Sequence, residues 1–201
     1  MNILSLFPTP VGIYELERQL TELERKFIDK QKISSNIGNS RSEDSYILEN
    51  KNLLTLKVFF SNCLDKFFKH IYSPSADIKL RITQSWLNYT AENEFHHSHA
   101  HPNSFISGVF YIQTTNGSDR IYFQNDVYNQ IEIKPVEYNI YNSKSWWIDA
   151  IEGQLILFPS NLVHRVNNLP SGSKTRISLS FNTFPVGQLG STHELTEAIL
   201  T

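Results

Sequence analysis

Residues 94–102 read EFHHSHAHP and carry four of the chain's seven histidines. Imidazole is the commonest protein ligand for a transition metal, so the cluster indicates a metal site. Residues two apart on a strand share a face, so either His99 and His101 or His97 and His99 can point at one ion. A third ligand must come from another strand, and His164 is the only histidine in a later candidate strand.

The sequence on both sides of this cluster has the alternation of apolar and polar residues that strands show. About eight short strand candidates, spaced roughly ten residues apart, are separated by turns that carry Gly, Pro and Asn. They are residues 79–89, 105–113, 120–124, 130–133, 146–149, 154–158, 164–167 and 174–184. The pattern predicts a mainly β domain over residues 78–185, either a sandwich or a jelly roll.

Two segments in the first third of the chain have the period of amphipathic helices instead. Apolar residues recur there at three- and four-residue intervals, over residues 16–32 and 52–72. That period predicts two helices. We therefore expect residues 1–75 to form a helical support on one side of the β core.

The remaining residues add one short element. Ser191 and Glu194 have the spacing of a capping box, which predicts a closing helix over residues 191–201. A chain of 201 residues is long enough for one sizeable core, and neither a repeat nor a linker interrupts it. The expectation is a single domain over residues 1–201.

Composition limits the classes of function. With 18 basic and 20 acidic residues the formal net charge is -2, so the chain lacks the basic excess that nucleic-acid partners require. No stretch reaches the roughly 18 apolar residues of a membrane span, and the N-terminus lacks a signal-peptide pattern. The single cysteine, Cys63, is typical of a reducing compartment. We expect a cytoplasmic protein without membrane contact.

A polar pattern follows His164 by twelve residues, where Arg176, Ser178 and Ser180 alternate along a candidate strand. If this face points inward, the guanidinium needs an anionic partner, because an unpaired buried charge is costly. A carboxylate can accept two parallel hydrogen bonds from Arg176 and a third from Ser178. In the alternative, Arg176 faces solvent and Ile177 points inward. The nearby His164 favours the inward arrangement.

Taken together, these elements resemble the 2-oxoglutarate- and Fe(II)-dependent oxygenases, specifically their prolyl-hydroxylase-like branch. That family has a His-x-Asp motif, then a distant His, then an Arg or Lys further along a strand. His99-Ala100-His101 falls in the His-x-Asp slot, and His164 matches the distal histidine. Arg176 matches the residue that binds the C5 carboxylate of 2-oxoglutarate. The resemblance covers residues 82–185.

What the resemblance implies is a double-stranded β-helix, a jelly roll like that of the cupins, with Fe(II) as the metal and 2-oxoglutarate as the cosubstrate. The activity implied is that of a dioxygenase that hydroxylates a substrate. Two sets of site residues follow: the metal ligands His99, His101 and His164, and the cosubstrate contacts Arg176, Ser178, Tyr111 and Tyr89. Each tyrosine could equally be an ordinary core aromatic on a strand.

One departure from the family pattern is that His101 stands in the carboxylate slot. A three-histidine site carries one negative charge less, which raises the Lewis acidity of the iron. Glu94 or Asp126 could supply a carboxylate instead, and His97 is the main rival for a ligand position. His96 otherwise belongs to the loop or to the surroundings of the ligands.

The same departure keeps two other functions open. Three-histidine iron sites occur in cupin dioxygenases that use no 2-oxoglutarate, and a jelly roll can also be a non-enzymatic binding protein. The substrate is open too, between a protein side chain, a nucleobase and a small metabolite. The aromatic content is compatible with a homodimer.

Overall fold

The computed structural model describes residues 1–74, 77–115, 117–125 and 131–201. The helices are α1 (Glu22–Asp29) and α2 (Leu54–Tyr72), with 3-10 turns at Ile47–Glu49 and Lys51–Leu53. The strands are β1 (Gly12–Glu15), β2 (Ile33–Ser35), β3 (Ser40–Ser42), β4 (Lys79–Thr90), β5 (His96–His99), β6 (Ile106–Gln113), β7 (Arg120–Gln124), β8 (Ser145–Asp149), β9 (Gln154–Pro159), β10 (His164–Val166), β11 (Arg176–Leu189) and β12 (Ala198–Leu200).

These strands form two antiparallel sheets. The larger has the order β1-β9-β6-β11-β4-β3-β2, with β12 paired to the end of β11, and the smaller has the order β5-β10-β7-β8. The arrangement confirms the expected mainly β jelly roll. The strand predicted at residues 130–133 begins outside the described residues, and residues 131–133 form no strand.

The larger sheet is covered on both faces, which explains why its central strands are so apolar. On one face, helix α2 packs Phe60 against Phe110 and Phe181, with ring centroids 5.2 and 5.4 Å apart. On the other face, Val109 and Tyr111 pack against apolar residues of the smaller sheet. Seven of the eight residues of β6 are therefore buried. The helical support on one side of the core is confirmed for α2.

Residues 1–75 were predicted to form a helical support, but they are not helical throughout. Three short strands lie there as well. Strand β1 pairs with β9, and β2 and β3 form a hairpin beside β4. Helix α1 begins at Glu22 because Thr21 and Glu24 form a capping box. Leu16 lies before it, where its backbone N–H donates to the carbonyl of Gly153.

The helix predicted over residues 191–201 is wrong. Residues Ala198–Leu200 are strand β12 and pair with Gly187–Leu189 at the end of β11. Ser191 instead closes a turn, in which its N–H donates to the hydroxyl of Thr196. A helix of this length is marginal without a packing face, whereas the 14-residue β11 offers an edge with free backbone groups.

Gly108 lies where the larger sheet leaves little room beneath helix α2. It lies opposite Phe181, and a Cβ atom there would collide with the ring of Phe181. The ring cannot retreat easily, because Phe60 stacks behind it. We expect Gly108→Ala to lower the free energy of unfolding by about 1 to 3 kcal/mol, as overpacked cores do, in urea denaturation. The penalty should shrink in a Phe181→Leu background; an equal penalty in both backgrounds contradicts the collision.

Candidate functional site

A pocket between the two sheets collects the histidines and the Arg176 strand. It is lined by β4, β6, β9 and β11 of the larger sheet and by β5, β7 and β10 of the smaller one. The polar face of β11 thus points inward, and Leu179 and Phe181 on its other face belong to the core under α2. The inward arrangement of Arg176 is confirmed.

Three histidines converge at this pocket. His99, His101 and His164 offer ring nitrogens that all lie within 4.8 Å of one another. His99 and His164 are directly opposite on β5 and β10, which brings their ring centroids to 4.4 Å. His101 follows β5 in a loop that is tied down by its backbone N–H, which donates to the carbonyl of Ser160 at 2.9 Å. The sequence predicted this convergence from spacing.

Two backbone carbonyls orient these rings. Nδ1 of His99 lies 2.8 Å from the carbonyl oxygen of His97, and Nδ1 of His164 lies 3.0 Å from that of Leu162. A carbonyl oxygen only accepts, so each Nδ1 carries the proton and donates it. Each Nε2 therefore keeps its lone pair, which is how metal-binding histidines are usually held.

Burial keeps these imidazoles neutral. Burial first, and then the neighbouring histidines, lower the pKa of His164 to about 4 and the pKa of His101 to about 3. Burial is also the main cause that lowers the pKa of His99. Neutral imidazole is the form that binds a metal, so the site is ready for one at neutral pH.

The same pKa values predict how the metal-free protein responds to acid. The ordinary pKa of histidine is 6.5, so between pH 6.5 and about 4 the unfolded chain binds a proton at position 164 that the folded chain does not. Stability is therefore present above pH 6.5 and lost as the pH falls. We expect the free energy of unfolding to drop by up to about 1.4 kcal/mol per pH unit for each buried histidine.

Urea denaturation at a series of pH values measures this slope. His164→Asn should make it shallower, and replacement of the exposed His70 on α2 should leave it unchanged. A slope that is identical in His164→Asn and wild type contradicts the prediction.

Arg176 is buried in the pocket with an incomplete set of partners. Its side chain is 2% exposed, and Nη2 approaches the Thr90 hydroxyl at 3.5 Å. Nε and Nη1 have no hydrogen-bond partner among the described residues. Burial lowers the pKa of the guanidinium, while Tyr111 and Asp119 raise it. A buried guanidinium with two free donors calls for an anion from outside the chain.

Ser178 and Tyr111 lie beside this guanidinium, directly opposite each other on β11 and β6. Tyr111 is 1% exposed, and burial raises its pKa to about 12, so its hydroxyl keeps a proton to donate. Tyr89 does not join them. Its hydroxyl donates to the carbonyl of Ile28 at 3.2 Å, on the face of β4 that packs into the core. The predicted cosubstrate contact of Tyr89 is thereby corrected.

Of the two carboxylate candidates, Glu94 does not join the histidines. It accepts a hydrogen bond from the N–H of Ala91 at 2.8 Å and closes a turn there, and Asp126 lies outside the described residues. Asn88 also lines the pocket and was not predicted from the sequence. It alternates with Tyr89 on β4, so the period of two that places Tyr89 on the opposite face could have found it.

None of the described helices combines the length and the apolar character that a membrane crossing requires.

The model of the family "Putative 2OG-Fe(II) oxygenase" matches residues 84–182, which contain the three converging histidines and Arg176. No match to the sequence is found among curated proteins.

Solved structures with a similar fold include two hydroxylases. A prolyl hydroxylase from Trichoplax adhaerens, in complex with a hypoxia inducible factor peptide fragment, has a TM-score of 0.59 at 13% identity, over 87% of this chain and 83% of that one. A prolyl-4-hydroxylase from Pseudomonas putida has a TM-score of 0.56 at 10% identity, over 87% and 92%.

HygX from Streptomyces hygroscopicus, with nickel and 2-oxoglutarate bound, has a TM-score of 0.58 at 7% identity, over 87% of this chain and 83% of that one. At such identities the likeness is one of fold, and it confirms the expected double-stranded β-helix.

Proposed function

Because this chain belongs, through residues 84–182, to the 2-oxoglutarate- and Fe(II)-dependent oxygenase superfamily, we propose that its pocket holds Fe(II) and 2-oxoglutarate side by side for the oxidation of a substrate. The observation that carries the proposal is the buried Arg176 guanidinium, with Nε and Nη1 unpartnered, in the same pocket as three converging imidazoles. A metal alone explains the imidazoles, but only an anion explains the guanidinium.

His99, His101 and His164 are the proposed iron ligands. Three protein ligands would hold the ion and would leave it free to bind a cosubstrate and dioxygen as well. Once bound, the iron and 2-oxoglutarate supply the oxidative chemistry, in which the cosubstrate becomes succinate and carbon dioxide. The protein supplies position, with two of the three rings oriented by the carbonyls of His97 and Leu162.

Arg176, Ser178 and Tyr111 are proposed to bind the far carboxylate of 2-oxoglutarate. Nη1 of Arg176 can donate to one carboxylate in parallel with Nη2, whose contact with the Thr90 hydroxyl is long at 3.5 Å, and the hydroxyls of Ser178 and Tyr111 can donate to it as well. All three side chains are buried, which strengthens such charge-assisted hydrogen bonds because water does not compete.

Apolar side chains form the rest of the pocket wall. Val109, Ile121 and Phe158 come from three strands of the two sheets and line the space around the imidazoles. They limit the access of water to the reacting groups, which protects an oxidising site from side reactions.

The substrate class stays open between a protein side chain, a nucleobase and a small metabolite. The Trichoplax enzyme is bound to a peptide and a second HygX structure contains hygromycin B, so this fold accepts both kinds of molecule in those proteins. A cytoplasmic location and a homodimer also stay predictions.

Anaerobic loading with Fe(II) and 2-oxoglutarate tests the proposal. We expect an absorption band of the metal chelate that neither component gives alone, and succinate formation when oxygen is admitted. A protein that binds iron but gives neither the band nor succinate has the cupin-type chemistry, for which the histidine in the carboxylate slot is the supporting observation. A protein that binds no stoichiometric iron is not an oxygenase of either kind.

A further inference from the structure

A second group of three imidazoles lies next to the first. His96, His97 and His99 offer ring nitrogens that all lie within 4.8 Å of one another. The ring of His96 stacks on that of His99 at 4.5 Å, and the ring of His97 lies 4.9 Å from it. The proposed function uses His99 but gives no role to the other two rings.

A bulge in β5 creates this group. His99 pairs with His164 and His96 pairs with Val166, so three steps along β5 match two steps along β10. In a regular strand, residues three apart point to opposite faces. The extra residue of the bulge turns His96 back to the side of His99, and bulges of this kind often re-aim a side chain near a site.

The group also contains a donor atom that the rest of the fold does not use. Nδ1 of His97 is buried and has no hydrogen-bond partner among the described residues. A buried unpartnered nitrogen is costly unless something binds it. Three imidazoles without a carboxylate suit Zn(II), Ni(II) or Cu(II), which bind nitrogen ligands more tightly than Fe(II) does.

We propose that His96, His97 and His99 form a second binding site for a divalent transition-metal ion of the Zn(II) class. This site excludes the first one, because Nδ1 of His99 donates to the carbonyl of His97 and only Nε2 remains to bind a metal. One histidine thus belongs to two ligand sets, and a chain holds an ion in one set or the other. The identity of the excluded ion as the catalytic iron rests on the proposed function. Metal binding by the second set does not depend on that proposal.

The double variant His101→Ala/His164→Ala isolates the second set. In calorimetric titration of the metal-free protein with Zn(II), we expect it to bind one equivalent, and Co(II) should give an absorption spectrum different from that of wild type. Adding His97→Ala should weaken Zn(II) binding by at least about 10-fold, because even the loss of a residue that only hydrogen-bonds to a metal ligand weakens metal binding by that much. Wild type should bind one Zn(II), not two.

A matched control removes two histidines that lie outside both groups. In the double-variant background, the replacement of His70 and His193 by alanine should leave Zn(II) binding unchanged, because both side chains are exposed. The proposal is overturned if the double variant binds Zn(II) no better than the variant that also lacks His97. It is also overturned if wild type binds two ions at once.

Circular dichroism checks that each variant is folded, and His101→Gln/His164→Asn serves in place of the alanine pair if that pair unfolds. The test is independent of the oxygenase proposal. A failed succinate assay leaves the Zn(II) result intact, and a variant that binds no Zn(II) leaves the iron ligands untouched.

Discussion

Replacement of Arg176 by methionine is expected to weaken 2-oxoglutarate binding by at least about 30-fold while iron binding persists. Loss of one partner from a buried, hydrogen-bonded charge pair costs about 2 to 5 kcal/mol, which corresponds to roughly 30- to several-thousand-fold in affinity. Methionine keeps the apolar stem of the side chain and removes the guanidinium with both free donors, Nε and Nη1. Anaerobic titration of the chelate band of the Fe(II)-loaded protein measures the change.

Arg165→Met is the matched control for this experiment. Arg165 lies one residue after His164, but its guanidinium sits over the ring of Tyr122, 5.4 Å from the centroid, and does not line the pocket. Its removal should leave the affinity for 2-oxoglutarate unchanged. Equal effects of the two substitutions, or an unchanged affinity in Arg176→Met, contradict the proposed carboxylate site.

The stability of Arg176→Met separates a binding role from a structural one. Breaking a buried ion pair costs about 3 to 5 kcal/mol, because it leaves the other charge uncompensated. Asp119 affects the pKa of Arg176 through space, but the two form no ion pair among the described residues. We therefore expect a smaller loss of unfolding free energy in the ligand-free variant, well below that range. A loss within the range assigns Arg176 to the core.

The parts of the fold that sequence predicted are those set by a regular period. The alternation along β4, β6 and β11 and the apolar face of α2 predicted the strands and the helix. These two inferences need only the repeat of a strand or helix, which local residue order carries. His164 was predicted because a third imidazole had to come from another strand, and its nearness then favoured the inward arrangement of Arg176.

The parts that sequence did not predict depend on how elements pair. Tyr89 was assigned to the site by its distance from His99 along the chain, yet the face of β4 on which it lies decides its contacts. The bulge that places His96 on the same side as His99 arises because three steps along one strand match two steps along its partner. The sequence of β5 alone does not indicate it. The C-terminal residues pair with the edge at the end of β11, and this pairing overrides the local capping-box signal.

Replacement of His164 by alanine is expected to abolish 2-oxoglutarate turnover and to weaken Fe(II) binding by at least about 100-fold. Substitution of a residue that only hydrogen-bonds to a metal ligand already weakens metal binding by about 10- to 100-fold. The loss of a ligand itself should therefore weaken it by at least the upper value. His164 is 6% exposed and faces His99 across β5 and β10, so no nearby solvent-facing group can replace it. Anaerobic iron titration and a succinate assay measure the two effects.

Two further variants decide whether the loss reflects ligation. His70→Ala removes an exposed imidazole from α2 and should leave iron binding and turnover unchanged. His101→Asp exchanges one proposed ligand for another and restores the carboxylate of the family pattern, so Fe(II) should still bind. If His101→Asp and His164→Ala lose iron to the same extent, the pocket tolerates only imidazole at position 101, and the likeness to a His-x-Asp motif does not extend to the metal. If His164→Ala keeps both the iron affinity and the turnover of wild type, His164 is not a ligand of the catalytic iron.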